Sequence, residues 1–189
     1  SRQWLRPINW LLCRAASSVV TLTNVENTLV KKAYGVPRSK LYTIGWGVRS
    51  PGCLASGPKR REVRILCVGR LGDHKGQCWL LEVYRRAREK FDQPTNLVLV
   101  GRDEGGEAQI KELVKEWGLG EEVTVFGEAD DDEIDRWYQE SDVFALFSRY
   151  EAFGFVFFEA MTHGIPVLTH AVGANEEVLN KATVSQALM

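Results

Sequence analysis

The chain has 189 residues, of which 44% are hydrophobic and 26% charged, a composition that excludes wholesale disorder and suffices to bury one core. Lys plus Arg number 24 against 25 for Asp plus Glu, so no global field draws the protein to nucleic acid or anionic lipid, and any anion site must be local. Cys13, Cys53, Cys67 and Cys78 form neither a CxxC pair nor a disulfide framework, and no apolar run nears the roughly 20 residues that cross a bilayer, which together point to a cytoplasmic protein.

The chain opens with an amphipathic helix expected over Trp4 to Ala16, an apolar run from Val19 to Leu22, a helix from Asn24 to Tyr34 and a strand near Leu41 to Ile44. Trp4, Trp10, Leu11 and Leu12 alternate with Arg2, Arg6 and Arg14, a pattern that fits either packing on a neighbouring domain or peripheral contact with a membrane. The stretch Gly45 to Lys59 (GWGVRSPGCLASGPK) is rich in Gly, Pro and Ser and has no period, so it reads as a linker. Residues 1–60 are therefore expected to be the remnant of a preceding domain plus linker, and residues 61–189 a second domain, truncated at its end.

From Val63 onward, short apolar runs alternate with amphipathic ones, the pattern of βαβ units. Strands are expected at Val63 to Val68, Asn96 to Val100, Val123 to Phe126, Val143 to Phe147 and Pro166 to Thr169. None alternates apolar with polar, so the sheet should be covered on both faces. Helices are expected at Lys75 to Lys90, Glu107 to Trp117, Asp132 to Glu140, Phe155 to His163 and Asn175 to Asn180. Gly118 and Gly120 stop the second, and the acidic run from Asp130 to Glu133 opens the third. The fold class is thus α/β, a Rossmann-like doubly wound parallel sheet.

The sharpest chemical signal is Glu151 to Glu159 (EAFGFVFFE), which follows the strand at Val143 and opens a helix. Its first carboxylate falls at the carboxyl end of a parallel strand, where such sheets bind ligands, and its second lies about one turn into the helix. Phe153, Gly154 and Phe155 would place backbone N–H groups at a helix N-terminus, where a diphosphate is stabilised by donors and dipole, and Gly154 permits close approach. Carboxylates beside a phosphate must be aimed elsewhere, and hydroxyl groups are the natural targets. A ligand with two polyol ends joined by a diphosphate is a nucleotide sugar.

The first turn, VGRLGDHKG, carries Arg70 and Lys75 across a loop with Gly69 and Gly76. A planar fork and a mobile point charge suit a diphosphate leaving group that gains negative charge. The segment GRDEGG at Gly101 to Gly106 follows the second strand with the wrong spacing for a dinucleotide fingerprint and reads as a loop lining the crevice. His74, His163 and His170 have no ligand-like spacing, so no metal site is expected. Phe153, Phe155, Phe157 and Phe158 read mainly as core.

GRLGDHKG, LVLVG, VTVFG, EAFGFVFFEAMTHGIPVL and VGANEEVL, in this order and spacing, resemble the glycosyl transferases group 1 family, over about residues 17–180. The resemblance implies the C-terminal half of a GT-B fold and a retaining transferase that takes a hexose from a donor such as UDP-glucose or GDP-mannose, with no cofactor and no metal. It implies that Gly69, Arg70 and Lys75 hold the diphosphate, that Glu151 contacts hydroxyls of the transferred sugar, and that Glu159 holds the ribose. Phe153, Gly154 and Phe155 would offer main-chain groups to sugar and phosphate, and Gly127 with Glu128 would seat the base. Arg70, Lys75 and Glu151 are the residues implied to act in catalysis. The acceptor would sit mainly on the preceding domain, so the fragment alone should bind donor and transfer poorly. The chain departs from the family at Gly45, Trp46, Gly47, Val48 and Arg49, where Pro-Asn-Gly-Val-Asp is frequent. A nucleotide-sugar epimerase of the same architecture and a binding module without catalysis are the alternative readings.

Overall fold

The computed structural model describes residues 5–47 and 61–181; most of the linker, Cys53, Trp4 and the last eight positions lie outside the described residues. The first unit consists of α1 (Leu5–Ala15), β1 (Val19–Thr21), α2 (Asn24–Tyr34) and β2 (Leu41–Thr43), with β1 and β2 paired in parallel. Thr23 starts α2 by accepting a hydrogen bond from the Glu26 amide at 3.1 Å, and Gly35 ends it at φ 65°. Among the described residues of this unit, Thr21, Thr23, Val36 and Leu41 are the buried ones, while Trp10, Leu11 and Leu12 stay exposed.

The second unit is a five-stranded sheet in which every pairing is parallel. Its strands are β3 (Val63–Val68), β4 (Thr95–Val100), β5 (Val123–Gly127), β6 (Val143–Ala145) and β7 (Val167–Leu168). The helices between and after them are α3 (Gln77–Ala87), α4 (Glu107–Glu116), α5 (Asp131–Gln139), α6 (Phe155–Thr162) and α7 (Asn175–Lys181). The spatial order β5-β4-β3-β6-β7 runs outward from β3 in both directions. The reversal between β3 and β6 makes a topological switch point, and the crevice at the carboxyl ends of these two strands is the place where open α/β sheets take ligands. The doubly wound Rossmann-like sheet expected from the apolar runs is the one observed.

Unbroken apolar runs form the strands because helices cover both faces: Leu97, Val98, Leu99 and Val100 of β4 are all buried, as are Leu66 of β3 and Phe144 of β6. Helical positions Leu81, Ile110 and Phe157 close over them. Each such side chain contributes about 1.5–3 kcal/mol of transfer free energy. Helix α5 begins on a capping box, with Asp130 accepting from the Glu133 amide at 2.8 Å and Glu133 accepting from the Asp130 amide at 3.0 Å.

Element ends differ from the periodicity in instructive ways. The helix expected from Lys75 starts at Gln77, because Asp73–Lys75 form a 3-10 turn and Gly76 takes φ 71°. It ends at Ala87, with a second 3-10 turn at Arg88–Lys90. Strand β6 stops at Ala145 and not at Phe147, and the Thr169 hydroxyl donates to the Leu146 carbonyl at 2.7 Å as both chains leave the ladder to form the crevice.

Two glycines allow the loops above the sheet to approach. A Cβ on Gly76 would lie 2.1 Å from the Phe147 carbonyl oxygen, and one on Gly101 would lie 2.1 Å from that of Gly69. Gly76→Ala would add this overlap to a left-handed backbone and is expected to cost on the order of 3 kcal/mol. The check is a lower urea midpoint at an unchanged slope. Gly120→Ala, which meets open space and has no positive φ, should leave that midpoint unchanged or raise it slightly.

Candidate functional site

The loops after β3 and β6 meet over the switch point. Lys75, last residue of the 3-10 turn, places Nζ 2.8 Å from Glu151 Oε2, and the two side chains are only 15% and 12% exposed. Ser148, fully buried, donates to the same carboxylate oxygen at 3.2 Å. A main-chain tie accompanies the ion pair, since the Arg149 amide donates to the His74 carbonyl at 2.9 Å. The sequence therefore brings one cation and one carboxylate of the candidate set, 76 residues apart, into direct contact.

Arg70 sits on the same edge of the sheet but turns toward the β4–α4 loop. Its Nη1 lies 2.6 Å from Glu104 Oε1, an oxygen that Arg102 Nη2 also approaches to 3.8 Å, while His74 Nε2 is 3.9 Å from the other oxygen. One carboxylate thus gathers three basic groups at the mouth of the crevice. Gly69, at the end of β3, keeps its carbonyl within reach of the Gln77 side chain. Gln77 is buried, and its Nε2 donates to the Arg70 carbonyl at 2.9 Å, which pins the turn from below.

Gly154 is the N-cap of α6 at φ 77°, and no side chain caps that helix. The Phe157 amide donates to the Gly154 carbonyl at 3.0 Å, and the amides ahead of it in the first turn are available to an anion, which the dipole favours. A Cβ at Gly154 would lie 2.4 Å from the Phe157 ring, so the position requires glycine on two counts. Phe153 is buried beside Ala174 and Val178, whereas Phe155 is partly open and meets Trp46 edge to face at 6.1 Å. Of the aromatic run, Phe157 is core and Phe155 borders the crevice.

Glu159 lies a turn further along α6, where the Tyr138 hydroxyl of α5 donates to its Oε2 at 2.9 Å. Burial pushes the Tyr138 phenol well above its ordinary value, and the Glu159 carboxylate acts in the same direction, so the hydroxyl remains a donor. His163 stacks on Tyr138 at 5.0 Å and its Nδ1 meets the Glu159 carbonyl at 2.7 Å. Gly127 ends the edge strand β5 at φ 85°, and its carbonyl accepts from the Gly101 amide at 2.6 Å. Glu128 follows it, exposed. These two stand on the same carboxyl edge, two strands from β3, which Lys75 follows, and three from β6, which Glu151 follows.

Ser148, Glu104, Gln77 and Tyr138 are the residues of this region that the sequence did not single out. Gln77 carried a faint signal, as an amide directly after the glycine that starts a helix; Tyr138 carried none, because nothing in α5 announces contact with α6. A surface depression of about 590 Å³ lies at the opposite edge, lined by Glu62, Phe91, Thr95 and Glu122 among others, and contains none of the candidate residues.

A parallel sheet with this strand order, a basic turn and an uncapped glycine-led helix at its switch point define a Rossmann-like α/β domain. Residues 55–187 match the model of the family described as glycosyl transferases group 1, and the chain belongs to that family. It is 28% identical over 174 residues to a mannosylfructose-phosphate synthase of Agrobacterium fabrum, covering 84% of this chain and 38% of that protein. It is 32% identical over 161 residues to a D-inositol 3-phosphate glycosyltransferase of a Mycobacterium species, covering 84% and 35%. The chain spans well under half the length of these curated relatives. Among solved structures, a glycosyltransferase from Rickettsia africae superposes with a TM-score of 0.79 at 21% identity, covering 96% of this chain and 51% of that one. Anabaena HepE, solved with UDP and glucose, gives 0.77 at 22%, covering 94% and 50%. These neighbours have the GT-B fold. Among the described residues, no helix is long and apolar enough to cross a membrane.

Tyr138→Phe removes a donor from an ionised partner and is expected to cost about 1.5–3 kcal/mol of stability. A group whose pKa is raised on folding stabilises below its ordinary value, 10.0 here, and loses that contribution as the pH climbs above it. The wild-type protein should therefore lose more stability at alkaline pH than Tyr138→Phe, in which Tyr84 and Cys67, raised by burial, still contribute, and a phenolate absorbance titration should lose one late-ionising group.

Proposed function

We propose that the chain is the donor-binding half of a retaining glycosyltransferase, which moves a hexose from a nucleoside diphosphate sugar to an acceptor held mainly by a preceding domain. The observation that carries this reading is the Lys75–Glu151 pair beside the uncapped N-terminus of α6. A cation, free helix amides and a carboxylate then meet where the strand order reverses, which is what a diphosphate joined to a hydroxylated ring requires. The family and the UDP and glucose bound in Anabaena HepE support the same ligand class.

In this reading Lys75 exchanges Glu151 for the diphosphate when donor binds, and Glu151 turns its oxygens to hydroxyls of the sugar. Arg70 leaves Glu104 in the same way. Each exchange replaces one ion pair by another, so neither leaves a partly buried charge without a partner. As the anomeric bond breaks, negative charge grows on the diphosphate, and Lys75, Arg70 and the α6 amides stabilise it more than they do the ground state. Three such donors supply the neutralisation that a divalent cation provides elsewhere. Glu159, kept in place by Tyr138, accepts from the ribose hydroxyls, and Gly127 with Glu128 seat the base.

Calorimetric titration with UDP-glucose, UDP-N-acetylglucosamine and GDP-mannose tests the assignment. One of these should bind, equally well with EDTA present. Glu159→Ala and Lys75→Ala should each weaken that binding about 10- to 100-fold, the loss of a hydrogen bond to a charged group. No heat with any donor, or affinity unchanged in both variants, would remove the basis of the reading.

A further inference from the structure

Helix α2 of the first unit has its opening turn completed by a side chain of the second. Thr23 accepts from the Glu26 amide, while the Asn24 and Val25 amides donate to the two oxygens of Glu177 on α7, at 2.9 and 3.0 Å. The Asn24 side chain adds a third bond to the same carboxylate at 2.7 Å. A carboxylate at a helix N-terminus also meets the positive end of the dipole, so this contact is charge-assisted throughout.

The same short helix supports the candidate site. The Ala174 amide donates to the Glu151 carbonyl at 2.9 Å, and Gly173 lies so close beneath it that a Cβ there would be 2.1 Å from that oxygen. Phe153 packs with Ala174 and Val178, and this small cluster is closed by Leu22 and Val25 from the first unit. Asn175, buried, ties the start of α7 to Thr169 and to the His170 carbonyl at 3.2 and 3.1 Å. Segment 151–153 thus rests on α7, and α7 is fastened to α2.

We infer that Glu177 is a positioning residue for the sugar subsite: by clamping α7 against the N-terminus of α2, it sets where Glu151 presents its carboxylate. The inference rests on the proposed donor-binding function and assigns the first unit a part in donor affinity that acts through α7. Lys75 and Glu159, which the proposed function assigns to diphosphate and ribose, are held by the β3–α3 turn and by Tyr138, and Lys75 meets this chain of support only through its pair with Glu151.

The test compares UDP with UDP-glucose, and GDP with GDP-mannose, on the whole 189-residue chain. The readout is the sugar increment, the ratio of the two affinities within a pair. Glu177→Ala should reduce that ratio at least threefold while nucleotide affinity stays constant, and Glu177→Gln, which keeps one acceptor oxygen, should recover part of it. In a Glu151→Ala background, Glu177→Ala should have no further effect on the ratio. Hydrogen exchange should quicken in Glu177→Gln both at residues 24–25 and at residues 151–153, a readout that serves even where the alanine variant fails to fold. An unchanged ratio, a Glu177 effect that persists without the Glu151 carboxylate, or faster exchange confined to residues 24–25 overturns the inference and leaves the proposed function standing. Absence of nucleotide binding by the wild-type chain overturns both.

Discussion

The structure around the switch point depends on two charges brought together across it at little cost. Lys75 and Glu151 are largely withdrawn from water, and each would be costly there alone. The pairing is affordable because Gly76 lacks the Cβ that would strike the Phe147 carbonyl, so the two loops close to hydrogen-bonding distance, sealed by the Arg149 amide on the His74 carbonyl. A larger residue at that glycine would separate the loops, and with them Lys75 from Glu151.

Beneath this pair, neighbouring side chains hold the turn and the two carboxylates. Gln77 takes up carbonyls of the β3–α3 turn, Ser148 holds the Glu151 carboxylate, and Tyr138 holds that of Glu159. Ser148 and Tyr138 thereby restrict the Glu151 and Glu159 side chains in the free protein, which limits the conformational entropy left to lose. Glu104 serves differently: it keeps the two mutually repelling guanidinium groups of Arg70 and Arg102 in one place, with the His74 ring beside them. An anionic ligand entering the crevice would compete with it.

The first unit is more than an attachment. Its second helix draws part of its N-terminal capping from α7, and its apolar residues Leu22 and Val25 close the cluster around Phe153. A displacement of that unit would therefore be felt in the loop that carries Glu151, through hydrogen bonds and packing that can be followed atom by atom.

Much of the plan was readable without coordinates. The apolar runs of β3, β4 and β6 announced a sheet centre covered on both faces, since only burial on two sides selects strands with no polar alternation, whereas the edge strands β5 and β7 leave Thr124, Phe126 and Leu168 exposed; the glycines and acidic caps marked where helices start and stop. The acidic motif and the basic turn stood out because chemistry requires those residue types at the carboxyl ends of strands. What the sequence could not show is which charges pair. Lys75 finds Glu151 while Arg70 finds Glu104, and Tyr138 reaches Glu159, because the sheet order sets β6 beside β3 and lays α5 against α6. The capping of α2 by Glu177, 153 residues from Asn24, was equally hidden. Local patterning specifies elements through backbone propensity and one-dimensional periodicity; contacts between residues far apart in the chain exist only once strand order and loop closure have been decided in three dimensions.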